Sequence, residues 1–273
     1  MALSNKIDFA VIFSVKNANP NGDPLDGNRP RHSYDGIGEV SDVCIKRKMR
    51  DRLMEDGCEI FVQSEDRKKD DATSLKARAD SRLNKKLDKK ETAAAACKEW
   101  FDVRAFGQVF AYKATKGDEA GVSIGVRGPL TVQTAFSVSP INITSTQITK
   151  SVNNEDTKDG KKASDTMGMK HRVDEGIYLF FGSINPQLAE ITGFSDDDAE
   201  KIKKILPKLF ENDASSARPE GTMRVCNVFW WKHNCKMGQY SSAKVHATLS
   251  VKQDGSYEIT PLDGLAPEVI PGF

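Results

Sequence analysis

The sequence predicts an α+β fold whose simplest form is a ferredoxin-like βαββαβ unit. Three observations carry that expectation. The run I-D-F-A-V-I-F-S-V over Ile7–Val15 is almost continuously β-branched or aromatic, as a buried central strand requires. Residues 42–56 and 195–211 each place apolar side chains at helical spacing. Further strand-like runs lie between and after them, giving the order strand, helix, strands, helix, strand, with long insertions.

The segment Lys16–Gly38 leaves the first strand with four glycines and three prolines. Such backbone suits neither a helix nor a ladder strand, and a connector this long is usually functional or disordered. Ser41 or Asp42 caps a helix that runs to about Asp56 and stops at Gly57. Its apolar stripe is Ile45, Met49 and Leu53. Lys46, Arg47 and Arg50 flank the stripe on one side and Lys48 and Arg52 on the other, with Asp51 the single acid among them. Cys58–Gln63 is expected to be a short strand.

Ser64–Thr92 carries ten Lys or Arg against seven Asp or Glu and few large apolar residues. That composition predicts a helical or mobile insertion with a thin core. Four alanines make Thr92–Phe101 helical, docked through Trp100 and Phe101. Val122–Val138 alternates as two strands broken at Gly128-Pro129. Ser139–Arg172 is polar with an Asp159-Gly160-Lys161-Lys162 centre, which predicts a long hairpin or arm. Ile177–Ile184 is an aromatic strand. Ser195–Glu211 is a helix capped by Ser195, with three aspartates in its first turn and Pro207 kinking it or ending it early. Thr222–Trp231 and Ala243–Lys252 complete the strands, and the tail from Pro261 reads as loop.

Bulk properties narrow the function. With 273 residues the chain has room for a sizeable core, and at a net charge of +1 only the distribution of charge can point to a polyanion. No apolar run reaches membrane-spanning length, and Met1–Asp8 lacks the pattern of a signal peptide. Five cysteines without a C-x-x-C pair suit reduced thiols in a cytoplasmic protein. Neither G-x-x-x-x-G-K-[ST] nor G-x-G-x-x-G follows the first strand, so nucleotide and dinucleotide binding have no support. Leu25 stands where a calcium loop needs an oxygen ligand. His32, His171, His233 and His246 have no metal-binding spacing, and nothing resembles a nucleophile elbow. No cofactor, metal site or catalytic residue is therefore expected.

Two features remain. A flexible glycine-rich loop running into a basic helix offers amides and cations to a polyanionic backbone, gripping phosphates without reading bases. Thr166-Met167-Gly168-Met169-Lys170-His171-Arg172 sets two methionines in a polar segment ahead of three basic residues. In one reading an apolar wedge parts stacked bases while cations hold phosphates. In the other the methionines pack the arm onto the body or a neighbouring subunit.

Several ordered motifs carry a family resemblance: Asn17-Ala18-Asn19-Pro20-Asn21-Gly22-Asp23-Pro24, Gly27-Asn28-Arg29-Pro30-Arg31 and the helix Ser41–Arg50. Further along come Asp102-Val103-Arg104-Ala105-Phe106-Gly107, Val126-Arg127-Gly128-Pro129, Thr166-Met167-Gly168 with Lys170-His171, and Thr192-Gly193-Phe194-Ser195. Together they span about two-thirds of the chain and resemble the repeating CRISPR-RNA-binding backbone subunit of CRISPR type I-C Cascade. At position 169 the chain departs from that pattern, with Met in place of a basic residue.

The resemblance implies a hand-shaped protein: an RNA-recognition-motif-like, ferredoxin-like palm (1–63, 102–138 and 173–260), a helical finger insertion (64–101), a projecting thumb (139–172) and a C-terminal loop (261–273). It implies copies stacked along a CRISPR RNA guide, each thumb kinking the guide, with a target DNA strand read by guide pairing and other Cascade subunits as partners. The residues expected to contact RNA are Asn19, Asn21, Gly22, Arg29, Arg31, Lys46, Arg47, Arg50, Arg104, Met167, Met169, Lys170, His171 and Arg172. Two alternatives stand beside this non-catalytic scaffold. One is a metal-dependent endoribonuclease using Asp23, Asp26 or Asp35, and the other is a stand-alone RNA-binding protein without a filament.

Overall fold

A computed structural model of the chain describes residues 2–84, 88–112, 122–149 and 167–273. Its strands in chain order are β1 (Ile7–Ala18), β2 (Gly22–Asp23), β3 (Arg29–Pro30), β4 (Ile37–Val40), β5 (Gly107–Tyr112), β6 (Val122–Arg127) and β7 (Leu130–Val132). There follow β8 (Ala135–Pro140), β9 (Ile143–Thr149), β10 (Met167–Ile184), β11 (Met223–Lys232), β12 (Leu249–Val251), β13 (Tyr257–Ile259) and β14 (Glu268–Pro271). The helices are α1 (Asp42–Glu55), α2 (Leu75–Arg82), α3 (Lys89–Glu99), α4 (Phe101–Phe106), α5 (Pro186–Thr192), α6 (Asp196–Ile205) and α7 (Ser242–His246).

The fold is mixed α/β around one large antiparallel sheet in the order β14-β11-β1-β10-β8-β4, with β7 and β9 also paired to β10. The apolar run of β1 is continuous because both its faces are covered. Ile7, Phe9, Val11, Phe13 and Val15 enter one core, against α1, α6 and the aromatic residues of β10. Ala10 and Ile12 enter a second layer built from α7, the β12–β13 hairpin, Phe229 and Trp231. Asp8 is fully buried on this strand, where it accepts a hydrogen bond from His233 Nε2 at 2.9 Å. The His233 tautomer follows from its other nitrogen, which accepts the Gln239 N–H.

α1 uses the stripe expected of it. Ile45, Met49 and Leu53 are buried in the main core, each stabilising the fold by roughly 1.5–3 kcal/mol relative to exposure. The insertion after it carries a separate core, in which Phe61 packs on Trp100 (ring centroids 4.7 Å) and Phe110 (5.2 Å) with Ala79, Ala96, Val103 and Ile124. α4 joins the two cores: Phe101 and Ala105 face the main one, Trp100 and Val103 the smaller one. At its end two backbones touch. A Cβ on Gly128 would lie 2.3 Å from Ala105 O, and Gly107, at φ 85°, approaches Val126 O as closely. The R-A-F-G and V-R-G-P motifs thus need glycine at their contact.

Several sequence expectations change. Cys58–Gln63 is not a strand: the Asp102 carboxylate accepts Phe61 N–H (2.7 Å) and Val62 N–H (3.1 Å), so these amides are unavailable to a ladder. Ala243–Lys252 divides into α7, capped by Ser241, and the short strand β12. The tail is not all loop, since β14 forms the sheet edge beside β11, with Val228 opposite Ile270. Lys16–Gly38 contains β2, β3 and the start of β4 and is folded tightly. The helix from Ser195 does end early, passing into a 3-10 turn at Leu206–Lys208 around Pro207.

Candidate nucleic-acid interface

The loop after β1 is held by its own hydrogen bonds. Asp23 Oδ1 accepts Leu25 N–H (3.1 Å), while Asp23 O accepts Asp26 N–H and Asn28 N–H. Further on, Arg31 N–H reaches Asn21 O and Ser33 N–H reaches Ile37 O. Asn19 is buried and donates to Asn28 O at 2.6 Å. Asn21 Oδ1 accepts both the N–H and the hydroxyl of Ser41 at 2.9 Å, pinning the start of α1, and the Ser41 hydroxyl caps Cys44 N–H. Gly22 lies under Asn28, whose Oδ1 would meet a Cβ there at 2.0 Å. These amides are therefore spent inside the protein, and Asn19, Asn21 and Gly22 shape the loop. Arg31 is one-third exposed and 3.3 Å from Asp23, and Arg29 is half-buried on β3.

The basic helix is equally committed. Lys46 pairs with Asp42 (2.8 Å), and Arg47 donates to Val62 O (2.9 Å) and lies near Asp51. Lys48 is buried against Asp213, and Arg52 is buried against Glu55 (2.8 Å). Arg50 donates to Asp102 at 2.8 Å and its guanidinium covers the Phe106 ring at 4.9 Å. Arg104 grips Asp198 with two hydrogen bonds, 3.0 and 2.8 Å, over the Phe101 ring. Burial by itself would raise the Asp198 carboxyl. The hydrogen bonds and charge of Arg104, with those from Ser195, outweigh it and hold the group below its ordinary value. Of the six cations on α1 and α4, Lys46 and Arg47 are the most exposed, at 24% and 31% against 13% for Arg50 and 18% for Arg104.

A different arrangement holds at the arm. The first third of β10 leaves the sheet and pairs only with β9, Met167 opposite Thr149 and Val173 opposite Ile143. Strand alternation puts Met167, Met169 and His171 on one face and Gly168, Lys170 and Arg172 on the other. Met167 is 68% and Met169 54% exposed, far from either core. The His171 ring shares a hydrogen bond with the Ser145 hydroxyl at 2.8 Å. Arg172 is half-exposed with Asp174 at 4.0 Å, and Lys170 is exposed. The turn expected at Asp159–Lys162 lies outside the described residues.

Sequence reasoning missed the counter-ions Asp102, Asp198 and Asp213. Asp102 and Asp198 sit inside or beside motifs already noted, which was the available signal. Asp23, Asp26 and Asp35 are partly or fully exposed, and Asp23 is tied to Arg31. Among the described residues no group of three or more His, Cys, Asp and Glu is placed to hold a metal ion. Cys44, Cys58, Cys97, Cys226 and Cys235 are free, and burial pushes the Cys97 thiol up to about 11. No helix among the described residues is long and apolar enough to cross a membrane.

Comparison with known proteins adds a family. The profile described as CRISPR-associated protein Cas7 matches residues 5–264. A Haloferax volcanii protein described in the same words is 25% identical over 231 residues, covering 79% of this chain and 67% of its own. Among solved structures, a chain of a CRISPR RNA-guided surveillance complex aligns with a TM-score of 0.47 at 17% identity, covering 92% of this chain and 77% of that one. A second, from a pre-nicking surveillance complex, has the same score at 14% identity and covers 83% and 78%.

Proposed function

This chain belongs to the CRISPR-associated protein Cas7 family, and from that premise we propose that it is a non-catalytic RNA-binding subunit. It polymerises along a CRISPR RNA guide as the backbone of a DNA-targeting Cascade surveillance complex. Sequence is then read by pairing of the guide with a target DNA strand, while the protein holds shape and backbone. Its partners are the CRISPR RNA, the paired target strand, further copies of itself and other Cascade subunits.

The observation that carries this reading is the arm. Two exposed methionines share one face of a two-stranded ribbon, and Lys170 and Arg172 share the other. Exposed methionine side chains suit insertion between bases, and the lysine and arginine across the ribbon suit phosphates. In this reading the arm is the thumb, the body the palm and the segment around the second core the finger. The order β11-β1-β10-β8, with helices after β1 and β10, supports a ferredoxin-like palm. We place the RNA contacts on Met167, Met169, Lys170, His171 and Arg172, with Arg29, Arg31, Lys46 and Arg47 beside them. Asn19, Asn21, Gly22, Arg50 and Arg104 act through the fold.

Mass measurement of the purified chain on RNAs of increasing length tests the proposal. Copy number is expected to rise with length, whereas one copy on a long RNA would contradict the filament. With guide-complementary RNA and magnesium the RNA is expected to stay intact. Cleavage abolished by Asp23→Ala, Asp26→Ala or Asp35→Ala would replace the scaffold with an enzyme.

A further inference from the structure

Tyr34 has no role in the contacts described so far. Its side chain is fully exposed, at 104% of the reference area, and it makes no hydrogen bond or ring contact among the described residues. An aromatic side chain left entirely in water forfeits its burial energy, so a position that presents one on rigid backbone suits a partner that covers it.

The backbone beneath Tyr34 is closely hydrogen-bonded. Ser33 N–H donates to Ile37 O (2.8 Å), Gly36 N–H to Ser33 O (3.0 Å) and Ile37 N–H to the Ser33 hydroxyl (3.2 Å). His32 and Gly38 close the turn as a bridge, and Arg31 O accepts Glu39 N–H at 2.9 Å. The same turn is fastened to the foot of the arm: Gly36 O accepts Ile141 N–H at 2.9 Å, two residues before β9 begins. Arg29, Arg31 and His32 precede Tyr34 along the chain, and the exposed Asp35 follows it directly.

An exposed aromatic on hydrogen-bonded backbone, with Arg29, Arg31 and His32 preceding it and the ribbon of Lys170 and Arg172 rooted beside it, is an arrangement that can stack an unpaired nucleobase. We infer that Tyr34 is a stacking platform for one unpaired base of the bound RNA at the foot of the arm. The methionines engage the strand farther out: Gln147 and Thr149, opposite Met169 and Met167, lie four and six residues beyond Ile143, or about 13 and 20 Å at ~3.3 Å per residue. Leu25, 97% exposed at the neighbouring turn, has no π-face and serves as the comparison.

The inference rests on the RNA-binding reading, and the test separates the two. The full-length protein is titrated with single-stranded RNAs carrying one 2-aminopurine at successive positions, following fluorescence for stacking and anisotropy for affinity. At one recurring position the wild-type protein is expected to quench the probe. Tyr34→Phe should keep that quenching. Tyr34→Ala should abolish it and weaken binding by about tenfold, while Leu25→Ala changes neither. If wild type fails to bind RNA, the RNA-binding reading itself is lost. If RNA binds and Tyr34→Ala leaves quenching and affinity unchanged, the platform is refuted. If Tyr34→Ala lowers only the number of copies per RNA, Tyr34 faces a neighbouring protein and the platform is again refuted.

Discussion

Arg50 and Arg172 illustrate two uses of the same side chain. Arg50 is nearly buried and closes on Asp102, whose two oxygens also hold Phe61 N–H and Val62 N–H. Asp102→Ala would leave an arginine and two amides unpaired inside the protein. We expect a loss of about 3–5 kcal/mol in denaturant unfolding. Arg172 is half in water beside a distant carboxylate, where ion pairs are worth little. Arg172→Gln should leave unfolding unchanged and reduce the salt slope of RNA binding by about 0.7. The helix charges were legible in the sequence, but their fate was not. Asp102 stands 52 residues from Arg50 and Asp213 165 residues from Lys48, and no local pattern connects them.

Asp198 adds a pH dependence at the same scale. Its folded value lies below the ordinary 3.8. The pair with Arg104 therefore contributes its full stability above the unfolded value. That contribution is lost as pH falls through 3.8 and on through the folded value, because the unfolded chain takes up the proton first. Unfolding measured from pH 7 to pH 3 should show a shallower acid decline in Arg104→Gln than in wild type. Equal acid slopes would remove Arg104 as the cause.

Among the elements, local pattern succeeded where one face decides the structure. The α1 stripe, the break at Gly128-Pro129 and the end of α6 at Pro207 were all readable from spacing and breakers, although Val122–Val138 forms three strands rather than two, because the chain breaks again between β7 and β8. Cys58–Gln63 and the tail were misread because their hydrogen-bond partners are remote, a carboxylate on α4 and the edge of β11, whereas the first half of Ala243–Lys252 is a five-residue helix capped by Ser241, too short to show a helical period. The contact of Gly107 with Gly128 likewise joins two motifs that the sequence shows only as separate strings. Gly128→Ala drives a Cβ into backbone, so a loss of at least about 2 kcal/mol is expected, read from the unfolding midpoint. The arm, by contrast, adds little to the core above Val173. Replacing residues 144–172 with a short Gly-Ser linker should preserve cooperative unfolding and remove most RNA affinity. Retained affinity would move the interface elsewhere.

On the scale of the whole molecule, one sheet is covered on both faces and carries its ribbon at one end and a second small core at its flank. The alternation of strands and helices was visible in the sequence. Closure of the second face was not, since α7 and the β12–β13 hairpin are too short to leave a strong periodic signal. With both faces closed, a nucleic acid meets edges and projections, and the arm brings the exposed Met167 and Met169 together with Lys170 and Arg172. In the proposed function the arm holds an RNA backbone without reading sequence. This is tested most directly by the salt dependence of affinity for unrelated RNAs of equal length, in wild type and in a Lys170→Gln/Arg172→Gln variant. Affinities are expected to be equal across sequences, with a slope reduced by about 1.4 in the variant. An unchanged slope, or a loss that varies with sequence, would contradict it.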